Sequence, residues 1–151
     1  MNDELVKRIN DLQRQVDSLI KPEVGRWQTW TPTVTQSVAV TVTVTFARYV
    51  VRDNTVILRA SLAVTGAGTI ANAVVIGGLP AALAPVSAAG VAGIIRIFDS
   101  GTAFYVGSME FLNSTSFQGF AHLETDAIGI DPSFALASGD TISFEAAYER
   151  T

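Results

Sequence analysis

The chain has 151 residues, of which 48% are hydrophobic and 16% are charged, and its net charge is −4 at pH 7. This length and composition fit one domain of ordinary size with an appendage. Residues 27–151 hold five basic and nine acidic side chains, which disfavours a phosphate-binding surface, and the chain contains no cysteine and no apolar run long enough to span a membrane.

Residues 1–21 have the pattern of a coiled-coil helix. Apolar side chains alternate at spacings of four and three, which places Leu at position d and Ile or Val at position a of a heptad: Leu5, Ile9, Leu12, Val16 and Leu19. Because this narrow stripe has nothing within one helix to pack on, it predicts self-association; the alternative is a helix that lies on its own domain.

The number of helices in the assembly is left open by the heptads. A β-branched residue at a with Leu at d favours two strands. Residues 8–13 resemble instead the Arg-apolar-x-x-apolar-Glu pattern of short trimeric coiled coils, although Gln13 stands where that pattern has Glu.

The helix is expected to end at Pro22, because proline disfavours helical dihedrals in the residue before it. We therefore divide the chain into a coiled-coil helix (1–21), a linker (22–26) and a β-domain (27–151). Trp27 and Trp30 stand at the junction. We predict that they close the base of the domain where the helices enter and belong to the oligomer interface; a ligand platform is the alternative.

Strand signals follow one another through the rest of the chain. Valine and threonine alternate over residues 38–46, which would place Val38, Val40, Val42, Val44 and Phe46 on one face. Asp53-Asn54 then predicts a tight turn before a strand at 55–65. Turn residues separate the remaining predicted strands, which are 73–76, 90–98, 103–112, 117–123 and 141–148. The predicted fold is mainly β, a jelly-roll-like β-sandwich of about eight antiparallel strands.

Side chains capable of chemistry are few. His122 is the single histidine, and no serine lies in a Gly-x-Ser-x-Gly elbow. A loop cation site at Glu124, Asp126 and Asp131 is the alternative to ordinary solvated carboxylates, and Glu110 with Glu124 would form a glycosidase acid pair only at a suitable separation. We expect no catalytic residue, no metal and no cofactor.

A series of short motifs follows the heptads in a distinctive order. They are Trp-x-x-Trp-x-Pro-x-Val at 27–34, Phe46-Ala47-Arg48-Tyr49, Asn54-Thr55-Val56, Thr65-Gly66-Ala67-Gly68-Thr69 and Gly78-Leu79-Pro80. In this order the chain resembles small structural proteins of tailed bacteriophages, both the head domains of tail-fibre or receptor-binding proteins and capsid decoration or head-fibre proteins. The resemblance implies a homotrimer with its helices along a threefold axis and a β-rich head that carries the interaction surface. None of the motifs is a ligand motif, so no binding residues are carried over.

We therefore expect a non-enzymatic, homotrimeric virion structural protein that is assembled in the host cytoplasm and binds the host surface. The first alternative is a decoration protein on the major capsid lattice, and the second is a lectin-like trimeric carbohydrate-binding module. The expected partners are two further copies of the chain, a tail or major capsid protein, and a host saccharide where the receptor is a glycan. Nucleic acid and membrane insertion are not expected.

Overall fold

A computed structural model describes residues 2–20 and 25–151, and the side chains of residues 4–15 and 25–151. The first described element is helix α1 (Asn2–Ile20), and a short 3₁₀ turn (Ala81–Leu83) lies within the β-region. The ten strands are β1 (Gln28–Thr29), β2 (Thr33–Gln36), β3 (Val38–Val40), β4 (Val42–Arg52), β5 (Thr55–Val64), β6 (Val75–Gly77), β7 (Val91–Asp99), β8 (Ala103–Asn113), β9 (Ser116–Ala121) and β10 (Thr141–Glu149).

The ten strands form one antiparallel sheet in the order β1-β4-β5-β10-β7-β8-β9-β6-β2-β3. A single residue, Thr41, separates β3 at one edge from β4 beside the other edge. The two ends of the sheet must therefore lie close together, and the sheet curls on itself. The Thr41 carbonyl accepts hydrogen bonds from the amides of Thr65 (2.9 Å) and Gly66 (3.0 Å), which fix this corner to the end of β5.

The concave side of the curled sheet holds the hydrophobic core. Along β5 every second side chain is buried, in keeping with the period of two that a half-buried strand requires. The buried side chains of β5 include Val56, Leu58 and Leu62, and Tyr49 and Val51 of β4 are partly buried against the same core. The buried core side chains include Val34, Leu58, Leu62, Ile76, Ile97, Met109, Phe117, Ile142 and Phe144.

The prediction that Phe46 shares one face with Val42 and Val44 is wrong. The register between β4 and β5 pairs Val44 with Leu62 but Phe46 with Ser61, so Thr45 is an extra residue on β4. Such a β-bulge reverses the side-chain alternation beyond it. The Phe46 ring therefore lies on the outer face of the sheet, where it is 41% exposed.

A buried glutamine joins β2 to two distant loops. The Gln36 side-chain amide donates to the carbonyls of Asn72 (3.1 Å) and Phe134 (2.8 Å), and its oxygen accepts from the amide of Leu136 (2.8 Å). The chain passes so close to this side chain at Gly68 that a Cβ there would collide with the Gln36 oxygen. Gln36 thus supplies the partners that these buried backbone groups need.

Candidate functional surface

The stripe of the helix is exposed where its side chains are described. Leu5, Ile9 and Leu12 retain 60%, 54% and 59% of their accessible surface. The side chains of Val16 and Leu19, the other two predicted members, lie outside the described residues. Three apolar side chains in one seam are therefore available to another helix.

The two junction tryptophans have different surroundings. Trp30 is only 7% exposed, and its ring packs edge-on against Phe144 of β10, with ring centroids 6.3 Å apart. Trp27 is 48% exposed on the outer side of the domain. Trp30 is thus a core residue of the single chain, and its contribution to an oligomer interface stays a prediction.

Trp27 borders a groove that we name the basic groove. Its walls are Trp27, Phe46, Arg48 and Arg59, and its volume is about 430 Å³. The pairing of Arg48 with Arg59 across β4 and β5 places both guanidinium groups on the outer face. The groove combines two exposed aromatic rings with two positive charges.

The outer face continues from this groove across β10, β7 and β8. The register aligns Arg59 with Glu145 and Glu145 with Ile94, and Arg59 Nε lies 3.4 Å from the Glu145 carboxylate. A shallow depression of about 330 Å³ lies over this row. Apolar side chains on this side of the sheet are unusually exposed; they are Phe46, Val91, Ile94, Phe98, Phe104 and Val106.

A second groove, which we name the acidic groove, lies at the far end of the outer face. Its volume is about 610 Å³, and it runs over β7, β8 and the end of β9. Its walls include the apolar Val91, Ile94 and Leu123 and the ionisable Glu110, His122 and Glu124. A hydrogen bond with Asp131, together with the negative charge of that residue, raises the pKa of the fully exposed Glu124 carboxyl.

The acidic loop residues do not gather into a metal site. Within the described part of the chain, no three histidine, aspartate or glutamate side chains come together in a way that could hold a metal ion. Glu124 and Asp131 approach each other, whereas Glu110 and Glu124 only share the acidic groove. The arrangement offers surface charge and apolar area, which are properties of a binding surface.

No protein-family model, curated protein or solved structure matches this chain. No helix among the described residues has both the length and the hydropathy needed to cross a bilayer.

Proposed function

We propose that this protein is a non-enzymatic, homotrimeric structural protein of a tailed-bacteriophage virion that binds the host surface. The observation that carries the proposal is the exposed heptad stripe Leu5, Ile9 and Leu12. A 19-residue helix is only marginally stable alone in water, so a helix with one apolar seam gains stability by packing on copies of itself. The order of the motifs between Trp27 and Pro80 supports the virion role by resemblance.

We further propose that the β-domain acts as a jelly-roll-like sandwich, with the two halves of the curled sheet facing each other. This proposal is supported by the corner at Thr41, which joins the sheet's opposite ends. It is also supported by the contact between Trp30, which precedes β2, and Phe144 of the central strand β10. A rigid two-layer head suits a structural protein, because its outer face is then fixed for binding.

The oligomeric state provides the first test. Mass photometry and sedimentation equilibrium at micromolar concentration should give a particle of about 48 kDa, three times the 16.0 kDa of one chain. A particle with the mass of a dimer would support self-association but contradict the proposed trimer. Monomers at every concentration up to the micromolar range would remove the basis of the proposal.

The location in the particle separates the two virion roles. Antibodies against the purified protein, viewed by electron microscopy on intact phage, should label the tail tip or tail fibres. Labelling at threefold or quasi-threefold positions of the capsid would favour decoration instead. A particle labelled at neither place would count against both roles.

A carbohydrate ligand is the second candidate, because two aromatic rings stand exposed beside a turn. Phe98 and Phe104 lie 5.3 Å apart between ring centroids, and the Arg96 guanidinium lies 5.1 Å above the Phe104 ring. Exposed rings next to a hydrogen-bond donor suit the apolar face and hydroxyls of a sugar. A glycan array with the wild type and Phe104→Ala tests this candidate: binding lost in the variant supports it, and absence of binding by the wild type rejects it.

A further inference from the structure

We propose that the β-domains dock side by side, with the basic groove of one chain receiving the rim of the acidic groove of the next chain, so that three copies close a ring. This inference rests on the proposed trimer and assigns its second interface. The partner at both grooves is therefore another copy of this chain.

Leu123 is the side chain that would enter the basic groove. It is 87% exposed, and its φ of 69° lies in the left-handed region that bulky residues rarely adopt. The turn that holds it is closed by a hydrogen bond from the Glu124 amide to the Ala121 carbonyl (3.2 Å). An unfavourable backbone conformation that presents a large apolar side chain to water indicates a contact partner.

The two grooves are complementary in charge as well as in apolar surface. The basic groove carries Arg48 and Arg59 beside its two rings, with Arg59 also paired to Glu145 of its own chain. The acidic groove carries Glu110, His122 and Glu124 beside Leu123. Docking would place the Leu123 side chain between the rings of Trp27 and Phe46 and bring Glu124 towards the guanidinium groups. Such complementarity fixes the orientation of partners and suppresses wrong contacts.

The two grooves are different patches of one chain, which allows the contact to close into a ring. The basic groove lies on β4 and β5, the acidic groove lies on β7, β8 and the end of β9, and only β10 stands between them in the sheet. Identical chains that join through two different patches form either rings or open filaments, and a shared helical bundle would limit the assembly to a ring.

The basic groove is also close in sequence to the helix. Trp27 follows the end of α1 at Ile20 by seven residues. A helical bundle on the threefold axis would therefore keep the basic grooves of all three chains near that axis. The helix interface and the proposed β-domain interface would then form one continuous contact.

Engineered cysteines test the contact, because the chain contains none of its own. The double variant Phe46→Cys/Leu123→Cys, oxidised as the full chain, should give covalent trimers on a non-reducing gel that revert on reduction. Each single variant should run as a monomer on the non-reducing gel, since a contact between unlike patches needs both cysteines. The pair Phe46→Cys/Ser138→Cys, with the second cysteine on an exposed loop, is the matched control and should not link.

Each other outcome has a definite meaning. A single variant that links into dimers would indicate contact between like patches and overturn the proposal, as would equal linking of the control pair. A trimer by mass that forms no link in the double variant would reject this interface and leave the proposed trimer standing. A monomer by mass would reject the trimer itself.

Charge reversal gives a second measurement that does not need disulfide geometry. Arg48→Glu should weaken association about tenfold, because it places like charges together in the contact. Adding Glu124→Arg should recover most of that loss. If the double variant associated no more strongly than Arg48→Glu alone, the proposed pairing of the two grooves would be overturned.

Discussion

Gln36 shows how one buried polar side chain holds distant parts of the domain together. It is fully buried, and its three hydrogen bonds reach backbone groups of two loops. Gln36→Leu should lower the free energy of unfolding by about 3 kcal/mol or more, since it leaves those buried groups without partners. Urea denaturation followed by circular dichroism measures the change.

The matched control for Gln36 is Gln28, which lies exposed on β1 and accepts a hydrogen bond from the Tyr49 hydroxyl at 2.7 Å. Gln28→Leu should cost less than about 1 kcal/mol, because water can replace the lost partner. Equal losses in the two variants would contradict the structural role given to Gln36.

The Tyr148 phenol should make the free energy of unfolding depend on pH in the alkaline range. Its hydroxyl donates to the Leu83 carbonyl at 2.9 Å, and burial raises the pKa of the phenol above its usual value near 10. The unfolded chain therefore releases this proton at a lower pH than the folded chain. The resulting stability is fully present below about pH 10 and is lost as the pH rises further.

Tyr148→Phe should cost about 1 kcal/mol at pH 7 through the lost hydrogen bond, and it should flatten the decline of stability above pH 10. Thermal unfolding from pH 8 to 11 compares the two proteins. Parallel curves across that range would show that the Tyr148 proton is not linked to folding.

At the scale of single elements, the local pattern predicts most of the strands. The run 55–65 and the turn at Asp53-Asn54 are confirmed, with β5 at Thr55–Val64 and Asp53 at a φ of 53°. About eight strands were expected, and the described residues form ten. The predicted strand at 38–46 is interrupted at Thr41 and contains a β-bulge at Thr45. Both departures arise from strand pairing across the whole sheet, which the local sequence pattern does not contain.

The outer face of the sheet is formed by residues that are far apart in the sequence, so no local sequence pattern predicts it. Arg59 and Glu145 pair across neighbouring strands although they are 86 positions apart in the sequence (145 − 59). The partners of Gln36 are likewise remote along the chain. The helix seam, by contrast, is a local period, which is why the positions Leu5, Ile9 and Leu12 follow from the sequence alone while the outer face requires the strand order.

Substitutions in the helix can compare a position in the heptad seam with an equally exposed apolar position outside it. Ile9→Asn should weaken self-association at least about tenfold, because a polar group at an a position interrupts the apolar seam. Val6 has the same 54% exposure as Ile9 but lies outside the a and d positions, so Val6→Asn should have a smaller effect. Sedimentation equilibrium on the full chain measures both, and equal effects would show that general hydrophobicity rather than the heptad drives association.

At the scale of the whole molecule, a trimer that unfolds to three separate chains must depend on concentration. Association stabilises only the folded state, so each tenfold increase in protein concentration should raise the Tm by about 3 °C for chains of this size. Circular dichroism of the β-signal over a hundredfold concentration range measures this dependence. The Ile9→Asn variant should unfold at a lower temperature at every concentration, and its Tm should still rise with concentration if the β-domains also bind each other. A Tm that stays constant over the whole range would mean that each chain folds and unfolds alone, and neither the helix seam nor the outer face would then hold copies together.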